Sequence, residues 1–360
     1  MKLKVMVVDD TVVYRKIISD VLSGFANVEV VATASNGKIA MSRIESLKPD
    51  LVTLDVEMPV MDGVQTLMEI QKRKIKIGVI MVSTLTKRGS DITMKALELG
   101  AFDFITKPDK PTREENIKAL EAALAPRVRH FLKRLDIQKG VRKKEPEYVR
   151  KKPEVRPAPP VSAARASHEK SDIIAIGIST GGPNALARLL PMLPGDINVP
   201  VVIVQHMPPM FTRSLAESLN SKSALTVKEA EDGEVLKINH VYIAPGGKQT
   251  KVVTGAAQKK IIRINDDPPE NNCKPSADYL FRSVAREFGK KVTGVIMTGM
   301  GNDGTLGLRV LKSFGGMVIA QDESTSVVFG MPKMAYDAGV VDVMVPLDKI
   351  ATEILSTIKR

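Results

Sequence analysis

The sequence predicts an α/β protein of two domains, and three observations carry that prediction. From residue 1 to about 135, short apolar runs alternate strictly with amphipathic segments. A basic, proline-bearing stretch follows, too poor in large apolar residues to build a core. From residue 171 the alternation resumes. The 360 residues suit two domains. Strands that alternate with helices form parallel sheets covered on both faces. The first half is therefore expected to be a five-stranded, doubly wound parallel domain, and the second a further α/β domain.

In the first half, strands are read at VMVV, VEVVAT, LVTLD, IGVIMVS and FDFIT. Helices fall between them at 11–23, 37–47, 63–73 and 90–99, with a long one at about 112–134. In the second half, strands are read at DIIAIGI, VPVVIVQ, VTGVIMT, MVIA and VDVMV. Helices are expected at 184–192, 211–220, 276–288, 304–313 and 346–359. Between about 225 and 264 the turn sequences EDGE, APGGK and TGAAQ break the pattern, which predicts a β-hairpin-rich insertion. The limits are drawn at 1–125 for the first domain, 126–170 for a helix extension and linker, and 171–360 for the second.

Residues 139–170 carry ten Lys and Arg against four Glu, which is half of the chain's net excess of +12. Five prolines lie in the same stretch. It reads as a solvated, self-repelling tether rather than a nucleic-acid-binding arm. No apolar run reaches the roughly 18 residues of a membrane helix, and the opening MKLKVMVVDD is too short and too acidic for a secretory signal. The single cysteine excludes an internal disulfide framework and a cysteine-only metal site. A reducing, cytoplasmic setting without membrane insertion is expected.

Strand VMVV runs into Asp9 and Asp10, and LVTL ends in Asp55. Parallel strands share their carboxyl ends, so three carboxylates converge at one edge. Like charges raise one another's pKa unless a cation offsets them, and oxygen ligands favour a hard ion such as Mg²⁺. Ser83 ends IGVIMVS, and FDFIT leads into Lys107-Pro108. A hydroxyl and an ammonium at that edge complete a site for phosphoryl oxygens.

This succession, with LDVEMPVMDG around Asp55, resembles the receiver domain of bacterial response regulators over residues 1 to about 125. The resemblance implies that Asp55 accepts a phosphoryl group from a histidine kinase. It implies that Asp9, Asp10, Asp55 and the backbone carbonyl of Glu57 hold Mg²⁺. It also assigns Ser83 and Lys107 to the phosphoryl group and Phe104 to the rotating aromatic switch.

In the second half, Gly177-Ile178-Ser179-Thr180-Gly181 matches G-x-S-x-G between a strand and a helix opened by Pro183. The loop fits a nucleophilic serine, and equally a phosphate cradle at a helix N-terminus. A serine nucleophile needs a base and an orienting acid. Of four histidines, His168 lies in the linker, His130 on the long helix and His240 among short strands. His206 ends the strand next after the serine. Asp303 follows VTGVIMT in a glycine-rich loop, where it serves either as the acid or as a helix cap. Cys273 is read as incidental, with no base beside it.

The order of receiver, basic linker, IGISTGGP, VQHMPPMFT, KPSADYLF and TGMGNDG resembles the CheB family of chemotaxis protein-glutamate methylesterases. The resemblance covers nearly the whole chain. It implies catalysis by Ser179, His206 and Asp303, with Thr180 and the Met300 N–H at the oxyanion and orienting positions. It implies hydrolysis of glutamate γ-methyl esters and deamidation of glutamines on methyl-accepting chemotaxis receptors, switched on by phosphorylation of Asp55. The implied cofactors are Mg²⁺ for receiver phosphorylation and none for the esterase reaction. The protein is expected to act as a cytoplasmic monomer at receptor arrays, without nucleic acid. Lys274 stands where many relatives have Arg, which changes a carboxylate or substrate contact. Two rivals are weighed against this reading, a receiver-driven transcription factor and a non-catalytic receptor adaptor.

Overall fold

The computed structural model describes residues 2–138 and 169–358. The tether expected from residue 139 lies outside the described residues up to residue 168, as does His168. The chain divides into two compact units, Met1–Glu154 and Val155–Arg360. Among the described residues, no helix is long and apolar enough to cross a membrane.

In the first unit the strands are β1 (Leu3–Val8), β2 (Val28–Ala34), β3 (Leu51–Asp55), β4 (Gly78–Ser83) and β5 (Asp103–Thr106). Helices α1 (Val12–Ser23), α2 (Gly37–Leu47), α3 (Gly63–Lys72) and α4 (Lys87–Glu98) connect them, and α5 (Arg113–Gln138) follows β5. The sheet order is β2-β1-β3-β4-β5, all parallel. This is the doubly wound fold expected. Every residue of β3 is buried, as a central strand covered on both faces requires. Leu3, Val5 and Val7 of β1 pack with Ile18 and Leu22 of α1 and Leu120 and Leu124 of α5. Helix α4 starts at Lys87, earlier than the expected residue 90, because Thr86 caps it by accepting from the Gly89 N–H.

The second unit contains β6 (Ile173–Ile178), β7 (Val201–Gln205), β8 (Thr226–Glu229), β9 (His240–Ile243), β12 (Val292–Ile296), β13 (Met317–Gln321) and β14 (Val343–Val345). They form one parallel sheet, ordered β14-β13-β12-β6-β7-β9-β8. Helices α6 (Gly182–Leu189), α7 (Phe211–Asn220), α8 (Ala277–Phe288), α9 (Thr305–Ser313), α10 (Met331–Asp337) and α11 (Leu347–Thr357) accompany it.

Two expectations are corrected here. The region 225–264 is not hairpin-rich: β8 and β9 extend the main sheet in parallel, and only β10 (Gln249–Thr254) and β11 (Lys260–Asn265) form an antiparallel hairpin. Short strands with turns between them look alike in sequence whether they pair with each other or with a distant sheet edge. Helix α10 was not anticipated. Its seven residues are too few to display a helical period.

The strand order fixes where a site can form. From β6 the chain moves outward one way through β7, and later returns to build β12 on the opposite flank. Such a reversal opens a crevice beyond the carboxyl ends of the central strands. Ser179 follows β6, His206 follows β7, and the loop carrying Asp303 follows β12.

Candidate active site and receiver site

At the carboxyl edge of the first sheet, Asp9, Asp10 and Asp55 bring one carboxylate oxygen each within 4.8 Å of the others. Asp9 and Asp55 are buried and Asp10 is exposed. Lys107 Nζ lies 2.8 Å from Asp9 Oδ2 and 2.7 Å from Asp55 Oδ2. The other Asp9 oxygen, Oδ1, accepts from the Thr11 N–H at 2.9 Å and its hydroxyl at 2.5 Å. Burial raises the Asp55 pKa to about 6; Lys107 opposes that shift, while Asp9 and Asp10 add to it. One ammonium thus stands among three carboxylates, leaving local negative charge that suits a divalent cation with oxygen ligands.

The other receiver positions are held differently. Ser83 is buried at the end of β4, and its hydroxyl donates to the Gly89 carbonyl at 3.2 Å. Its own carbonyl accepts from the Lys107 N–H at 2.7 Å, which ties the end of β4 to the lysine. Phe104 is buried in β5. The Glu57 side chain pairs with Arg88 at 3.1 Å instead of joining the acidic cluster. Lys107 also sits over the Tyr14 ring, 5.1 Å from its centroid, a contact sequence spacing did not indicate.

In the second unit, the loop after β6 is anchored on three sides. The Ser179 N–H donates to the Thr298 carbonyl at 3.0 Å. The Ser179 carbonyl accepts from the Gly182 N–H at 2.7 Å and from Gln205 Nε2 at 3.0 Å. Gly181 caps α6 with φ +76°, a left-handed conformation that glycine adopts without strain. Gly299 is required for a different reason: a Cβ there would lie 2.7 Å from Ser179 Cβ and 2.4 Å from Met331 Sδ. The buried Thr180 is held by its carbonyl, which accepts from Thr298 Oγ1 at 3.0 Å. The Met300 N–H donates to no acceptor among the described residues.

His206 and Asp303 meet across the crevice, with Nε2 and Oδ2 2.7 Å apart. Asp303 does not cap its own following helix; Gly304 holds the cap of α9. The carboxylate instead sits at the N-terminus of α8. Oδ2 accepts from the Ala277 N–H at 2.6 Å, and Oδ1 from Ser276 Oγ at 2.7 Å and the Asp278 N–H at 3.2 Å. Asn271 Nδ2 adds a longer contact of 3.3 Å. Burial alone would raise the Asp303 pKa, but its bonds to His206, Ser276 and Ala277 hold it down at about 2. Burial works against protonation of His206, yet Asp303 and Cys273 push its pKa up to about 9.

These supports were not read from the sequence. The motif KPSADYLF signals a helix start, since Ser276 caps α8 by accepting from the Tyr279 N–H. That the helix points at Asp303 depends on tertiary packing. Cys273 requires a correction: it is not without a base, because its Sγ lies 3.7 Å from His206 Nδ1. No hydrogen bond joins Ser179 Oγ to His206 among the described residues. Lys274 Nζ turns away toward the Asp266 carbonyl and carboxylate, at 3.0 and 3.5 Å. His240 Nδ1 bonds the Ile238 carbonyl at 2.9 Å, a local structural role.

Comparison with known proteins agrees with this division. Residues 174–354 match the CheB methylesterase family model, and residues 5–119 match the response regulator receiver domain. A protein-glutamate methylesterase/protein-glutamine glutaminase of Desulfotalea psychrophila is 49% identical over 359 residues, covering 99% of each chain. The Bacillus subtilis protein of the same name is 44% identical over 362 residues, again covering 99% of each. Among solved structures, the Thermotoga maritima CheB methylesterase catalytic domain is 44% identical with a TM-score of 0.50, covering 51% of this chain and 97% of that one. The chain therefore belongs to the CheB family of protein-glutamate methylesterases/protein-glutamine glutaminases, with a receiver domain ahead of the methylesterase domain.

Proposed function

We propose that this protein is a receiver-controlled serine hydrolase. It cleaves glutamate γ-methyl esters, and deamidates glutamines, on methyl-accepting chemotaxis receptors. The observation that carries the reading is the His206–Asp303 pair, its carboxylate buried, in the same crevice as Ser179, at the ends of adjacent strands.

In the reaction, Ser179 Oγ attacks the γ-carbonyl carbon while His206 Nδ1 takes the hydroxyl proton. The serine–histidine hydrogen bond forms as substrate seats, since such bonds are commonly loose in the free enzyme. Asp303 remains ionised, orients the ring through Nε2–H and stabilises the imidazolium. The Met300 N–H and the Thr180 region receive the oxyanion, and one such donor contributes roughly 10²–10³ in rate. The imidazolium returns its proton to the leaving methoxide, or to the amine in deamidation. Water then adds to the acyl-serine by the same route, leaving a receptor carboxylate and free Ser179.

In the receiver, Asp55 accepts the phosphoryl group from a histidine kinase, and Lys107 and Ser83 contact its oxygens. Phe104 serves as the switch. Asp9, Asp10, Asp55 and the Glu57 carbonyl would hold Mg²⁺, which supplies charge neutralisation at the phosphoryl group. The esterase chemistry uses no cofactor. We place the receiver at 1–125, the extension and linker at 126–170 and the catalytic domain at 171–360. The protein works as a cytoplasmic monomer at receptor arrays, without nucleic acid. Replacing Ser179 by Ala should reduce methanol release from methylated receptor by at least about 10³-fold. Full retained activity would refute the nucleophile.

A further inference from the structure

We propose that His206 Nδ1 and Cys273 Sγ form a binding site for a thiophilic divalent cation such as Zn²⁺, and that its occupancy switches the hydrolase off. The inhibitory part rests on the esterase reading above; the metal site does not.

The geometry carries the site. Zinc binds imidazole nitrogen at about 2.0–2.1 Å and thiolate sulfur at about 2.3 Å, so a tetrahedral ion holds these two atoms about 3.6 Å apart. The His206 Nδ1 to Cys273 Sγ separation is 3.7 Å. A zinc ion fits between them without moving either side chain far. His206, Cys273 and Asp303 each offer a ligand atom within 4.8 Å of the others. Asp303 already occupies Nε2 at 2.7 Å, so in the neutral ring the lone pair belongs to Nδ1, facing the sulfur. A histidine backed by a carboxylate in this way is the usual outer support of a zinc ligand.

The thiol is held in place. The Cys273 N–H donates to the Glu270 carbonyl at 2.7 Å, and the Glu270 N–H returns a bond to the Cys273 carbonyl at 3.1 Å. Cys273 is only partly buried, which leaves an approach for the ion and room for water at the remaining positions. Binding displaces both the thiol proton and the proton that Nδ1 carries in the imidazolium, and releases them to solvent. It also consumes the Nδ1 lone pair, the one that must take the Ser179 proton. Metal and catalysis therefore exclude each other.

The sequence contains one cysteine, so a metal–thiolate signal has a single source. In the presence of excess Mg²⁺ to fill the receiver carboxylates, titration with Co²⁺ should produce a cobalt–thiolate charge-transfer absorption that saturates at one equivalent. Cys273→Ser should abolish it, and His206→Ala should weaken binding at least tenfold. Asp303→Asn should lower affinity by about 10–100-fold, as for other carboxylates behind a ligating histidine. Absence of the band in the unmodified protein, or equal affinity in His206→Ala, would overturn the site. Zn²⁺ should cut methanol release at least tenfold, with Cys273→Ala at least tenfold less sensitive relative to its own metal-free rate. A cobalt band without zinc inhibition would overturn the switch and keep the site. If the metal-free protein releases no methanol, the esterase reading fails, while the cobalt band still decides the metal site.

Discussion

At the residue scale, the His206–Asp303 pair sets the pH behaviour. The two shifts describe one interaction and are not added. His206 is raised from 6.5 to about 9, so its contribution to stability is complete below 6.5 and is lost as pH rises through 9. Asp303 is lowered from 3.8 to about 2, so its contribution is present above 3.8 and is lost as pH falls through 2. The pair is thus fully stabilising between 3.8 and 6.5. Catalysis wants the opposite state, since the base must be neutral. Methanol release at low substrate should climb about tenfold per pH unit between neutrality and the His206 pKa. An NMR titration of the His206 ring should place its midpoint well above 6.5, and Asp303→Asn should bring it down. An unchanged midpoint in Asp303→Asn would show that Cys273, not the carboxylate, holds the ring's pKa up.

At the scale of elements, two loops touch where sequence gives no warning. The loop after β12 runs so close to the loop after β6 that Gly299 has no room for a methyl group. Gly299→Ala should push on Ser179 and Met331, cost about 1–3 kcal/mol of stability and reduce methanol release at least tenfold. Gly289→Ala is the control. It sits at the far end of α8 with φ +59° and nothing within 4 Å of its Cβ, so it should lower the melting temperature while leaving turnover intact. Equal turnover in both variants would show that the Gly299 contact does not position the serine. The helix α8 acts at the same scale, because its N-terminal Ala277 N–H adds to His206 and Ser276 in holding Asp303 ionised.

At the scale of the whole molecule, a receiver domain joined to a methylesterase domain makes phosphorylation the natural control. Such control is a two-state equilibrium that the phosphoryl group biases through differential contacts. A small-molecule phosphodonor with Mg²⁺ should raise methanol release, and Asp55→Asn should lose that rise. The cation should bind in competition with protons. Asp55 titrates near 6, so the increase in melting temperature produced by Mg²⁺ at pH 7.5 should shrink as pH falls below 6. A Mg²⁺ effect independent of pH would place the ion elsewhere. The match of residues 174–354 to the methylesterase model also disposes of the transcription-factor rival for the second unit.

The sequence by itself determined the alternation of strands and helices. It therefore also put Asp9, Asp55, Ser83 and Lys107 at one sheet edge and Ser179 and His206 at another. Both follow from local periodicity and from the rule that parallel strands end together. Only the tertiary structure decided which strands are neighbours, that β8 and β9 join the main sheet, and that α8 points at Asp303. It alone brought Cys273 to His206 across 67 positions of sequence. The physical reason is that hydrogen bonds and packing between distant segments depend on the path of the chain in space, which no local spacing encodes.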